Sequence, residues 1–567
     1  MPARGIMDFL TQHFFKEVNW IHQFLYAPEY LAQYELWWNH QGDVHVENVQ
    51  FALLMLQICA YASGYLPTKQ YTSDTIRGQS LSDIRSQCTN VANLLKDSCG
   101  ASLHKTTLTR IQYLCLEAMS HEQEGRFDLS RSVLAQVIQE FQAAGMHREP
   151  VDPETCGLDE LEQEMRRRLF CNLRYFSCLD HDPLLAETPL TISFPKMHLT
   201  ADQGNASIWT PDPFTVRVLH AQLASFWFPR TTETTVNNYD IDRAEEWYER
   251  FSKDFLPQIP SQFALVPGRE WDERVPDLPR QRMLFHISLY ESICYNFRQL
   301  LRIEPNQIRN LARYKLALLA QHRHYLMEAT VGLLECASAL HSMLGSQQTR
   351  FPLIPFHYFE GALYLGLCLQ METTFSRFSS VADAKDAGTE VGGFGPTRNR
   401  WFDLHGPLRQ NVDISESHCL HMIEMALSGL DTIASCSTAA DTAAGVIRSM
   451  MFSLRGRRGG QLSPRSATSS LYQDPQHNST SDFSYVPEHS WDFMSLNTAT
   501  GTVTGASTLP TPTNLSAAGS MFVSHQHFLE AGEHPEVELL LSSFIPNKPS
   551  IDDWNEFTAA QNGLEES

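Results

Sequence analysis

Apolar residues recur at three- and four-residue steps along most of the first 435 residues, which is the period of amphipathic α-helices. This spacing predicts helices at residues 29–38, 106–122, 128–144, 280–302, 311–344, 355–371 and 416–435, with 416–435 as the last long helix. We find no sustained two-residue alternation of the kind that marks half-buried strands. The pattern therefore predicts an all-α fold, with one large multi-helix domain over residues 1–450. Residues 375–412, which are rich in Gly, Ser and Asp, are expected to form a loop insertion in it.

The most apolar stretches are predicted to lie in the core of this domain. Phe14, Val18, Ile21 and Leu25 form one stripe at helical spacing, and such stripes are more often core than binding sites. Residues 51–66 form a long apolar run, but it falls short of the ~20 residues needed to cross a bilayer. We expect a buried helix there and no membrane segment.

Residues 158–193 carry the most informative pattern in the chain. Apolar residues at three- and four-residue steps define one face of a helix, namely Leu161, Met165, Leu169, Leu173 and Phe176. Three arginines, Arg166 to Arg168, follow on the other side of this helix. Glu162 and Glu164 each precede an arginine by four residues, the spacing at which helical ion pairs form. We expect Asp159 to cap this helix and the arginines to lie on a solvent-exposed, salt-bridged face.

The same stretch resembles the central signature of the fungal-specific transcription factor domain, the middle homology region of fungal zinc-cluster regulators. In that family a Glu-x-Arg-Arg-Arg-aromatic helix leads to an acidic residue and then to a Pro-Leu-x-Ile segment. The matching positions are Glu164, Arg166, Arg167, Arg168, Phe170, Asp180, Pro189, Leu190 and Ile192. The sequence departs from the family at residues 185–188, Leu-Ala-Glu-Thr, where a glycine and an arginine usually precede the proline.

Three further stretches resemble the same family. They are Val-Asn-Trp at 18–20 with Tyr-x-x-Trp-Trp at 34–38, the Gly-x-His-Arg-x-Pro run at 145–150, and the helix at 280–302 that ends in Leu-x-Arg. The resemblance implies a nuclear transcription regulator whose helical domain holds autoinhibitory, effector or dimer contacts, as a homodimer or a heterodimer. Regulators of this build often control secondary-metabolite gene clusters, and we expect that role here.

Composition limits how such a protein reaches DNA. The formal net charge of −22 argues against a broad nucleic-acid-binding surface. The twelve cysteines include no Cys-x-x-Cys pair, so they predict neither a disulfide framework nor a zinc ribbon. The first is Cys59, so the six-cysteine zinc cluster that the family resemblance implies is missing, either biologically or because the gene model starts late. The resemblance then implies that DNA is contacted indirectly, through a partner that carries its own zinc cluster.

Residues 451–567 are predicted to form a disordered, Ser- and Thr-rich acidic tail. Its low-complexity runs cannot assemble a core, and Arg465 and Lys548 are its only basic residues from Gly460 onward. Acidic and apolar residues alternate near its end, a mixture that suits an activation segment recruiting the transcription machinery. The apolar positions of this segment are Leu539, Leu540, Leu541, Phe544, Ile545, Trp554 and Phe557. An ordinary disordered tail, or a helix that docks back on the domain, stays open as the alternative.

Other local clusters are weaker signals. Arg455, Arg457 and Arg458 could form a nuclear import signal, although the short run 455–458, Arg-Gly-Arg-Arg, is also typical of a plain linker. Two histidine-containing groups have helical spacing but no further ligand set, so partly exposed helix faces are favoured over metal sites. They are His418, Cys419, His421 and Glu424, and His322, His324 and Glu328.

Enzyme signatures are absent from the sequence. It contains no nucleotide-binding or hydrolase motif, and its one Asp-Asp pair, Asp552-Asp553, falls in the tail, which argues against a terpene synthase. We therefore expect no enzymatic activity, no cofactor and no metal. The alternative hypothesis is a helical ligand-sensing or scaffold protein with no direct role in gene regulation, its aromatic interior serving as a small-molecule pocket.

Overall fold

The computed structural model describes residues 1–39, 46–66, 73–100, 105–124, 126–149, 159–179, 195, 214–233, 239–303, 307–308, 310–345, 351, 353–386, 414–435 and 437–459. The chain divides into two compact units, Met1–Arg455 with Ala518–Ser567, and Gly456–Ala517. The described residues of the second unit are 456–459, the end of a helix, and all other described residues belong to the first unit.

Fourteen α-helices make up the described part of the chain and confirm the all-α prediction. They are α1 Arg4–His13, α2 Ala27–Asn39, α3 Val46–Ser63, α4 Leu81–Cys99, α5 Leu108–Gln123, α6 Phe127–Ala143, α7 Glu160–Leu179, α8 Thr215–Glu233, α9 Ile241–Arg250, α10 Leu278–Phe297, α11 Arg313–Leu344, α12 Leu353–Asp386, α13 Glu416–Ala434 and α14 Thr438–Gly459. Short π- and 3₁₀-helical turns extend α1, α9 and α10, at Phe14–Val18, Phe251–Phe255, Leu256–Gln258 and Arg298–Arg302. The sheet structure of the described residues is one antiparallel hairpin, β1 Thr75–Ile76 with β2 Gln79–Ser80.

The amino-terminal helices pack around α3. All four members of the predicted apolar stripe, from Phe14 to Leu25, are buried, as is nearly every side chain of α3 from Gln50 onward. α3 packs against α1, α4 and α5 on different sides, which explains why its sequence is apolar on all faces. Its polar Gln57 is satisfied by donating a hydrogen bond to the Ser120 hydroxyl over 2.7 Å. The buried helix predicted at 51–66 is therefore confirmed.

The later helices pack largely in chain order, α10 on α11, α11 on α12 and α12 on α13. α10 also packs against α8 and α9, so most of its side chains are buried around the whole helix. The segment before it, residues 259–277, lacks regular structure apart from turns, as its prolines predict. Arg282 of α10 fixes this segment by pairing with Asp272 at 2.7 Å and donating to the Gln262 carbonyl at 2.6 Å.

Two predicted boundaries are wrong. α12 continues to Asp386, so residues 375–386 are helical instead of loop, while residues 387–413 lie outside the described part. A further helix, α14, follows the predicted last helix and crosses the predicted domain boundary at residue 450. The many small residues of α14 make its apolar pattern weak in the sequence. Ile447 and Met450 are nevertheless buried, at 0% and 1% exposure. Among the described residues, no helix has both the length and the apolar character that a membrane crossing requires.

Candidate functional site

The arginine-rich helix α7 begins where the sequence predicts. The Asp159 carboxylate accepts a hydrogen bond from the backbone N–H of Glu162 over 2.6 Å, which satisfies one of the free donors at the helix start. One turn later Arg166 donates to Glu162 over 2.7 Å, at the predicted four-residue spacing. The predicted apolar face is also present, since Met165, Leu169 and Leu173 are 0–1% exposed. The face packs mainly against α8.

The prediction of a solvent-exposed arginine face is wrong. Arg167 and Arg168 are 4% and 6% exposed, Glu164 is 2% exposed, and Arg166 is half-buried. The reason is that α7 is covered on more than one side. α8 lies against it and the segment after α6 covers the arginines. A charge run on a helix is usually solvated, but helix spacing alone cannot show whether another element covers the polar side.

The buried charges are paired. Arg167 forms a two-point contact with Glu149, Nε to Oε1 at 2.8 Å and Nη2 to Oε2 at 2.9 Å, and lies 3.7 Å from Glu164. Arg168 donates to Glu164 over 3.2 Å and stacks on the Phe214 ring, 4.7 Å from its centroid. The hydrogen bonds to Glu149 raise the pKa of the Arg167 guanidinium. Two carboxylates and two guanidinium groups thus form a charge-balanced network, buried except for the half-buried Glu149, and such pairing makes buried charge tolerable.

This network joins two stretches that are separate in sequence. Glu149 belongs to the Gly-x-His-Arg-x-Pro run at 145–150, and Arg167 and Glu164 belong to the arginine-rich signature. Gly145, at the start of that run, has φ +69°, the left-handed conformation expected of a glycine that ends α6. Sequence reasoning missed the role of Glu149, because an 18-residue separation across two elements has no periodic signal.

Two more contacts bring the remaining family-like stretches to the same region. Asn172 of α7 donates to the His22 carbonyl over 2.9 Å, just after the Val-Asn-Trp motif. The guanidinium of Arg280, in the helix predicted at 280–302, lies 5.0 Å from the centroid of the Trp20 ring and 3.8 Å from Glu17. Side chains therefore link the four stretches in series. α7 contacts the run at 145–150 and the chain just after Trp20, and the helix at 280–302 contacts the amino-terminal stretch.

The remaining predicted site residues lie outside the described part of the chain or have other surroundings. The signature residues Asp180, Pro189, Leu190 and Ile192 lie outside the described part of the chain, as do all seven apolar residues of the predicted activation segment, Leu539 to Phe557. Phe170 belongs to α7 itself and is buried, with its ring centroid 6.4 Å from that of Phe141. Arg455 pairs with Glu424 at 2.6 Å on an exposed surface, and the backbones of Arg457 and Arg458 continue α14.

The histidine groups have different environments. On α13, Cys419 is buried, His421 and Glu424 are exposed, and Glu424 is engaged by Arg455. On α11, His324 pairs with Glu328 at 3.4 Å. The prediction of a partly exposed face is wrong for His322, which is 0% exposed. Its ring is held between the Tyr239 hydroxyl at 2.8 Å and Glu245 at 2.7 Å, a contact with elements that helix spacing does not reveal.

Comparison with known proteins places this geometry in a family. Residues 11–177, which include the amino-terminal stripe, Glu149 and nearly all of α7, match the model described as "Fungal specific transcription factor domain". The chain is 41% identical to the probable transcription factor sol4 of Alternaria solani over 498 residues, which covers 86% of this chain and 85% of that protein. It is 36% identical to transcription factor xilB of Penicillium rubens over 392 residues, which covers 66% of this chain and 58% of that protein. The chain belongs to the fungal-specific transcription factor domain family.

Proposed function

We propose that this protein is a nuclear regulator of transcription that controls a secondary-metabolite gene cluster in a fungus. The observation that supports the proposal most is that the stretches that mark the family contact one another, above all through the Glu149–Arg167–Glu164–Arg168 network, which joins α7 to the run at 145–150. The two relatives, which are named as transcription factors, support the same role for this chain.

The two parts of the chain would divide the work. The helical body would act as the regulatory part, since the arginines of its family signature that the structure describes are buried or half-buried and help to build its interior. With a net charge of −22, contact with DNA is best made through a zinc-cluster partner, in a heterodimer or a larger assembly. The tail that follows α14, residues 460–567, would recruit the transcription machinery. In this division the chain acts by binding and not by catalysis.

Deletion of the gene tests the regulatory role. Transcripts of the deletion strain and of a strain complemented with the full chain would be compared under conditions that induce secondary metabolism. We expect a set of neighbouring biosynthetic genes to change together and to recover on complementation. If no transcript depends on the gene, the protein is not a regulator, and the ligand-sensing or scaffold role becomes the better hypothesis.

A reporter assay tests the tail separately. Since α14 ends at Gly459, residues 460–567 would be fused to a heterologous DNA-binding domain. We expect reporter output that is lost when Leu539, Leu540, Leu541 and Phe544 are replaced by alanine, because the apolar residues are what a partner groove would bind. The matched control replaces the neighbouring Ser542 and Ser543 by alanine and should keep its output. A silent fusion, or equal loss in both variants, would contradict the activation role.

Nuclear import can be tested at the end of α14. Arg455 is engaged with Glu424, so the variant to use is Arg457→Ala with Arg458→Ala in a fluorescently tagged full chain. We expect the tagged protein to shift from the nucleus to the cytoplasm, with Arg448→Ala as a control on the same helix. Unchanged nuclear fluorescence in the double variant would show that these arginines are not the import signal.

A further inference from the structure

A group of metal-ligand side chains lies in the core of the later helices, away from the arginine network. Glu291 of α10 and His357 and Glu360 of α12 each offer one ligand atom, and these three atoms lie within 4.8 Å of one another. His357 and Glu360 are three residues apart, so they share one face of α12. Two helices therefore supply one imidazole and two carboxylates to a single point.

The charges around this point do not balance by themselves. Arg298 lies 3.8 Å from Glu360, and its guanidinium stacks 4.6 Å from the centroid of the Tyr295 ring. The Tyr364 hydroxyl also donates to Glu360, over 2.5 Å. Arg298 thus pairs with Glu360, whereas Glu291 has no ion pair among the described residues. Both carboxylates are buried, with Glu360 3% and Glu291 9% exposed. A second buried carboxylate requires either a proton or another cation to compensate it.

His357 is the second, independent indication. His357 is only 2% exposed, and its Nδ1 has no hydrogen-bond partner in the described part of the chain. A buried imidazole nitrogen without a partner costs free energy, so a ligand bound by this ring would offset that cost. A metal ion would use such a ring nitrogen as a ligand, and needs far less room than an organic molecule would.

We propose that Glu291, His357 and Glu360 form a binding site for one divalent first-row transition metal ion, with Zn²⁺ as the representative case. Imidazole with carboxylates suits Zn²⁺ or Fe²⁺, whereas Mg²⁺ and Ca²⁺ prefer oxygen ligands alone. Three protein ligands leave a fourth position for water. A bound ion would tie α10 to α12 and make the stability of the later helices depend on metal.

Metal binding by the full chain tests the site. Protein freed of metal by a chelator would be titrated with Zn²⁺ by calorimetry and with Co²⁺ by visible absorption, which reports the ligand geometry. We expect one ion per chain, and a rise in thermal unfolding temperature when Zn²⁺ is added. Glu291→Gln keeps the shape of the side chain but removes a ligand. We expect it to weaken binding by at least ~100-fold, since loss of even an outer-shell partner costs 10–100-fold.

The matched control is Glu328→Gln, which removes a carboxylate paired with an exposed histidine on α11. It should bind Zn²⁺ like the unmodified chain. A second variant, His357→Phe, retains an aromatic ring and should lose both the Co²⁺ absorption and the Zn²⁺-dependent rise in unfolding temperature. The proposal is overturned if the full chain binds no ion, or if Glu291→Gln binds as tightly as the Glu328→Gln control. In either case the second carboxylate is compensated by a proton.

Discussion

Removal of one charge from the arginine network should lower the free energy of unfolding of the domain more than removal of a comparable charge from the surface. Glu164→Gln is the sharpest perturbation, because it keeps the size of the side chain and removes only its charge. Arg168 then loses the carboxylate partner that lies 3.2 Å away, while its stacking on Phe214 is unchanged. Arg167 is affected less, since its two hydrogen bonds to Glu149 remain.

The magnitude follows from burial. The side chains of Glu164 and Arg168 are 3% and 8% exposed, so Arg168 would be left charged where water cannot replace the lost partner. Breaking a buried pair from one side costs about 3–5 kcal/mol, and the glutamine oxygen can still accept a weaker hydrogen bond. We therefore expect a loss of about 3 kcal/mol in the free energy of unfolding. The control is Glu424→Gln, whose partner Arg455 is 66% exposed, and where about 0–1 kcal/mol is expected.

Urea denaturation of the full chain, followed by far-ultraviolet circular dichroism, measures both variants under the same conditions. The double variant Glu164→Leu with Arg168→Met adds a test of cause, because replacing both charges by apolar groups of similar size removes the uncompensated ion. We expect it to recover most of the stability that Glu164→Gln loses. Equal stability of Glu164→Gln and Glu424→Gln, or no recovery in the double variant, would refute the claim that the unpaired buried charge causes the loss.

Two further perturbations test the packing and the buried histidines. An added Cβ at Gly332 would lie 2.5 Å from the Tyr290 ring, so Gly332→Ala should lower the free energy of unfolding by about 1–3 kcal/mol. Gly445 is an exposed helical site at which an added Cβ has no atom within 4 Å, so Gly445→Ala should raise the free energy of unfolding by about 0.5–1 kcal/mol. Urea denaturation that ranks the two variants in the opposite order would contradict this. His220 is fully buried, and burial holds its pKa well below the usual value, so below about pH 6.5 the unfolded chain takes up a proton that the folded chain excludes. The free energy of unfolding should therefore decrease as the pH is lowered. His220→Phe should reduce the slope of this free energy against pH, between pH 6.5 and 5, by up to ~1.4 kcal/mol per pH unit. An unchanged slope would show that His220 does not cause the pH dependence.

Much of the fold could be predicted because it depends on the spacing of residues that are close together in the sequence. The buried stripe from Phe14 to Leu25, the apolar face of α7 and the Asp159 cap each depend on residues within one element. The ion pair from Arg166 to Glu162 is likewise a four-residue relation. α14 also has apolar residues at helical spacing, but the many alanines and glycines between them make the pattern weak. The burial of Ile447 and Met450 shows which face of α14 points inward.

The polar interior could not be predicted, because its partners come from other elements. Helix spacing places Arg167 and Arg168 on the side of α7 away from its apolar face, and nothing within α7 shows that this side is covered too. The cover is provided by Glu149, by Phe214 and by the chain at His22, none of which stands in a fixed spacing to the arginines. An apolar residue at either arginine position would pack there with any similar neighbour, whereas a buried guanidinium is stable only beside its carboxylate. The arginines therefore make the folded body depend on one arrangement of α7 and the run at 145–150, which is a physical reason for these short motifs to occur together in one chain.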